Sequence, residues 1–81
     1  MMVCLLGFKP VHGTVERVRE FIQHNAPSLV DSGELRSIFV PLQPESQMTH
    51  AFVGFLHQAA ATEAVRALNG TYWQGTRITA V

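Results

Sequence analysis

The order in which strand-period and helix-period segments follow one another leaves this chain few folds to choose from. Met2 to Phe8 is a continuous apolar run bounded by Gly7 and Pro10, the pattern of a central strand. Thr14 is placed to cap a helix, and Glu16 sits in its first turn, where the helix dipole favours a carboxylate. Val15, Val18, Phe21 and Ile22 then recur at helical spacing until Pro27 stops the helix. Leu35 to Leu42 is rich in β-branched residues and partly alternating, a second strand, with Pro41 marking an edge or an end. Pro44 to Thr49 reads as a polar loop and Ala51 to Leu56 as a third strand. Ala61, Ala64, Val65 and Leu68 mark a second amphipathic helix, closed by Asn69-Gly70, and Gly75 turns the chain into a last strand from Thr76 to Val81. The order β-α-β-β-α-β, with right-handed crossovers, predicts an α+β, ferredoxin-like sandwich. Its four-stranded antiparallel sheet carries both helices on one face and leaves the other open to solvent or a ligand.

Length and charge narrow the function. Eighty-one residues are expected to form one domain spanning 1–81, which buries roughly 60% of its unfolded surface. An apolar fraction of 47% is ample for that core. No apolar run approaches the ~18 residues of a membrane span, so no membrane partner is expected. Met1 to Phe8 lacks a basic flank and runs into Lys9-Pro10, which reads as a strand and not as a signal peptide. The single Cys4 cannot form an internal disulfide, which fits a reducing, intracellular compartment, nuclear or cytoplasmic. The formal net charge is zero, which removes long-range steering toward a polyanion but leaves room for a local basic patch.

The stretch Met48-Thr49-His50-Ala51-Phe52-Val53-Gly54-Phe55 resembles the octamer of the RNA recognition motif (RRM) family: basic, Gly, aromatic, small, aromatic, aliphatic, any, aromatic. Ala51, Phe52, Val53 and Phe55 match it. Met48, Thr49 and His50 replace the basic residue, the Gly and the first aromatic. Val3-Cys4-Leu5-Leu6-Gly7-Phe8 resembles the family's first-strand hexamer, with Cys4 at the aromatic position. Glu63 to Gly70, with its Leu68-Asn69-Gly70 exit, and Gly75 to Val81 resemble the second helix and the last strand. The resemblance implies the ferredoxin-like sheet already predicted, with single-stranded RNA bound on the open face by base stacking.

Period-two alternation sorts the strand residues. Val3, Leu5, Ile38, Val40, Ala51, Val53, Phe55, Ile78 and Ala80 are expected to face the helices. Cys4, Leu6, Phe39, His50, Phe52, Arg77 and Thr79 are expected on the open face. By matching positions, the resemblance makes His50 and Phe52 the surviving base-stacking rings and Cys4 a lost one. Arg77 and Arg36 are expected to meet phosphates or base edges, with Lys9 at the rim. Met48 stands where a phosphate-pairing cation would be, and Pro41 to Thr49 contains no Lys or Arg. Binding is therefore expected to be weak.

The same residues allow another role. Leu6, Phe39, Phe52 and Cys4 on one face form an apolar surface of the kind that marks protein contact, including self-association. An RRM offshoot that holds a partner's Trp between its helices uses an Arg-aromatic-Phe signature; Thr71-Tyr72-Trp73 sits there without the Arg. Trp73 also reads as a plug at the edge of the core. Enzyme chemistry is not expected. His12, His24, His50 and His57 lack zinc-ligand spacing, and neither a phosphate-binding Gly loop nor a nucleophile elbow is present. Neither cofactor nor metal is expected.

Overall fold

The apolar run at the start of the chain becomes the strand with a neighbour on both sides. In the computed structural model, which describes residues 1–41 and 49–81, β1 (Met2–Phe8) pairs antiparallel with β3 (Thr49–Phe55) and with β6 (Thr79–Ala80). β2 (Leu35–Phe39) pairs with β3 at the sheet edge, giving the order β2-β3-β1-β6. The helices α1 (Val15–Asn25), α2 (Pro27–Asp31) and α3 (Gln58–Leu68) supply the other side of the core. This is the predicted ferredoxin-like sandwich.

Alternation places the core where the sequence put it. Val3, Leu5, Ala51, Val53, Phe55, Ile78 and Ala80 are buried, and Ile38 and Val40 pack partly buried against them. From the helices, Val18, Phe21, Ile22, Ala64 and Leu68 are fully buried. Phe8 and Phe21 meet edge-to-face at 5.4 Å, and Trp73 extends that contact at 5.6 Å from Phe21. Trp73 is thus an edge piece of the core. Thr14 caps α1 as expected, its Oγ1 accepting from the Arg17 N–H at 3.2 Å.

Several boundaries fall elsewhere for identifiable reasons. Pro27 does not simply end a helix. α1 stops at Asn25, whose Nδ2 donates to the Phe21 carbonyl, and Pro27 opens α2. Proline suits a first helical turn because the N–H it lacks would have no partner there, and buried Leu29 anchors the short helix. β2 ends at Phe39, two residues before Pro41, which has no N–H for the ladder; the reading of this strand as far as Leu42 runs outside the described residues. β3 begins at Thr49, earlier than expected, because β1 is long enough to offer Phe8 as its partner.

The last strand is not continuous. Thr76–Arg77 (β5) folds back on Tyr72–Trp73 (β4) around Gln74 and Gly75, which have φ of 53° and 80°. Positive φ at both central residues marks a type I′ hairpin. Ile78 then bridges the two sheets. It donates to the Thr71 carbonyl at 2.7 Å and accepts from the Gly70 N–H at 2.8 Å, with its side chain fully buried. The crossing runs against Gly7, whose φ is +107° and where a β-carbon would stand 2.7 Å from the Arg77 carbonyl oxygen. Gly7 also sits at the register shift between Leu6 and Phe8.

Candidate nucleic-acid interface

Strand register arranges the open face in rows. Phe39, Phe52 and Cys4 lie side by side across β2, β3 and β1, and Val81 continues the row through paired backbone hydrogen bonds with Cys4 at 2.9 and 3.0 Å. His50, Leu6 and Thr79 form the next row. Ser37, Gly54 and Met2 form the row on the other side. Gly54 belongs there as glycine, because a β-carbon would run into Ser37 Oγ and come within 3.3 Å of the Met2 sulfur. Ser37, Met2 and Val81 were not singled out in the sequence, although the same alternation, carried to the strand ends, reaches them.

Three rings converge on this face. His50 and Phe52 meet edge-to-face at 5.3 Å and 88°. Phe39 and Phe52 lie nearly parallel, at 20°, with centroids 6.5 Å apart. Phe52 and His50 are half-buried, whereas Phe39 is 60% and Leu6 39% exposed. Cys4 and Thr79 are half-buried. Burial pushes the Cys4 thiol above its ordinary pKa, so the group opposite Phe52 is a neutral, poorly nucleophilic thiol at neutral pH.

The expected cations stand around these rings and not among them. Lys9 follows β1 and donates from Nζ to the Gln74 carbonyl at 3.3 Å, against the β4–β5 turn. Arg77 is exposed opposite Tyr72, but its guanidinium leans over Gly70, where a β-carbon would stand 3.2 Å from Nη2. Arg36 is the bulge residue of β2, skipped between the Leu35–Phe55 and Ser37–Gly54 pairs, and is exposed at the opposite end of the sheet from Lys9. The sequence places Arg77 on the open face and Lys9 at its rim; the structure instead puts Arg77 on the β4–β5 hairpin, outside the four-stranded sheet, because the turn at Gln74 and Gly75 folds β5 back on β4. Met48 lies outside the described residues.

The helix side holds a separate open cleft lined by Val15, Glu16, Arg19, Gln23, His24 and Trp73. His24 and Trp73 are 6.0 Å apart there, and Glu20, also on this rim, pairs with exposed Arg17 at 3.4 Å. No group of His, Cys, Asp and Glu among the described residues is arranged to hold a metal ion. None of the described helices is long and apolar enough to cross a membrane.

The sequence of the chain also matches a known family model. The RNA recognition motif model aligns with residues 28–79. The chain belongs to the RNA recognition motif family. Solved structures share the fold. The Pes4 RRM3 domain superposes with a TM-score of 0.73 at 17% identity, covering 100% of this chain and 89% of that one. The Mip6 RRM3 domain gives 0.72 at 20%, covering 98% and 88%. The Rna15 RRM, solved with bound RNA (GU), gives 0.65 at 21%, covering 98% and 79%. No curated protein sequence matches the chain. The family match starts at residue 28, so β1, which carries Cys4, Leu6 and the Gly7 bulge, lies outside the aligned stretch of the RRM.

Proposed function

We propose that residues 1–81 act as one RRM domain that binds single-stranded RNA on its open sheet face, weakly, with Phe52 and His50 stacking bases. The observation that carries this reading is the cluster of three rings, Phe39, Phe52 and His50, on the open face. Stacking on an aromatic ring is worth ~1–3 kcal/mol per base and tolerates any sequence, because every base has a π-face. Cys4 and Leu6 give the neighbouring strand apolar contact without a ring. Thr79 offers a hydroxyl at the margin, and Arg77, Arg36 and Lys9 meet phosphates around the rim. Few cations at the edges, and none among the rings in the described residues, mean that stacking, more than charge, carries the affinity. The test is the salt dependence of binding to a pool of short single-stranded RNAs. The expected slope corresponds to about two or three phosphates; a steep slope would place the binding surface elsewhere.

A second reading rests on the exposure of Met2, Leu6, Phe39 and Val81 on the same face. They form an apolar patch able to contact a protein, including a second copy of the chain. Light scattering at high concentration separates the two: a stable dimer whose formation excludes RNA favours protein contact.

A further inference from the structure

On the premise that the open face binds RNA, we propose that its base platform is centred on β2 and β3, with Phe39 as a further stacking ring beside Phe52. β1 offers no ring to this face. Its outward residues are Met2, Cys4 and Leu6, and the thiol of Cys4 is directly opposite Phe52. Among the described residues, the only ring beside Phe52 on a neighbouring strand is Phe39, held at 6.5 Å with its plane 20° from parallel.

The core does not require Phe39. Its neighbours Ile38 and Val40 face the helices, while Phe39 itself is 60% exposed on an edge strand. A large apolar side chain on an exposed edge is a liability for edge-to-edge pairing unless something covers it. Bases stacked in one strand repeat every ~3.4 Å, and the two rings are separated by about twice that distance. Two successive bases can therefore sit one on each ring only when they are unstacked from one another, the splayed form in which single strands are read by proteins. The RNA path then crosses from β3 to the free edge at β2, and His50, edge-on to Phe52, closes the other side of the platform.

The experiment compares wild type, Phe39→Leu, Phe39→Tyr and Phe52→Leu by fluorescence anisotropy with a labelled pool of short random single-stranded RNA, with thermal melts to verify folding. Leucine keeps an apolar group of similar reach but no π-face; tyrosine keeps the ring. Phe39→Leu is expected to lose about tenfold in affinity, and Phe39→Tyr to remain within about threefold of wild type. If Phe52→Leu weakens binding while Phe39→Leu does not, the β2 platform is refuted and the RNA reading stands. Equal losses for Phe39→Leu and Phe39→Tyr would also refute a stacking role. If wild type binds none of the pool at low salt, the RNA reading falls, and the platform with it.

Discussion

Replacing Phe52 with alanine separates what this ring does for the fold from what it does for a ligand. Phe52 sits on the open side of the central pair β1–β3, opposite Cys4 and Phe39, and contacts two rings, at 5.3 and 6.5 Å. A fully buried Phe→Ala change costs ~3–5 kcal/mol. Phe52 is half-buried and lies outside the helix-side core, so the expected cost is a fraction of that. Two aromatic pairs at the low end of ~0.5–1.5 kcal/mol each, plus a partial burial term, give about 1–2 kcal/mol. Against a typical total of ~5–15 kcal/mol, the variant stays folded. The loss in RNA affinity is expected to be ~1–3 kcal/mol, about fivefold to 150-fold. Urea unfolding gives the first number and anisotropy with short RNA the second. A folded variant with unchanged affinity would refute the stacking role. A stability loss of ~4 kcal/mol or more would show that Phe52 belongs to the core.

Other outcomes follow from neighbouring residues. Cys4→Tyr puts a ring opposite Phe52 on the open face, so RNA affinity should rise by ~1–3 kcal/mol in the same anisotropy assay; a folded variant that binds no better would move the ligand away from β1. Because burial raises the Cys4 thiol pKa, the folded chain keeps a proton that the unfolded chain releases, so stability should fall as pH rises through and above the ordinary thiol range. Iodoacetamide labelling of Cys4 should accordingly be slower than that of a free thiol at the same pH, and slower again with RNA bound. Gly7→Ala forces a β-carbon onto a φ of +107° and against the Arg77 carbonyl, so it should destabilise by at least ~1–3 kcal/mol in urea unfolding.

Much of this layout was legible in the sequence, and the exceptions have physical causes. Strand alternation assigned Val3, Leu5, Val53 and Ile78 to the core and Leu6, Phe39 and Phe52 to the open face because a period of two admits only two sides. What misled was punctuation. Pro27 reads as a stop, yet the residue that ends one helix can start the next. Gly75 reads as the entry to one strand, yet with φ positive at both Gln74 and Gly75 the chain folds β5 back on β4. That fold-back, held by backbone bonds between Ile78 and Gly70 and Thr71, aims Arg77 toward Gly70. The sequence names Lys9, Arg36 and Arg77 as candidates, and the bulge and hairpin that set their positions come from the structure. The pairing of Phe39 with Phe52 is a matter of register, which a sequence window cannot supply for strands that are not contiguous in sequence.

The central claim, that the ring-bearing sheet face is the RNA surface, is tested most directly by residue-resolved NMR during titration with short single-stranded RNA. The account predicts that the largest shifts fall on Cys4, Leu6, Phe39, His50, Phe52 and Thr79, with smaller changes at Lys9, Arg36 and Arg77. Shifts concentrated instead on Val15, Arg19, Gln23, His24 and Trp73, the cleft on the helix side, would contradict it.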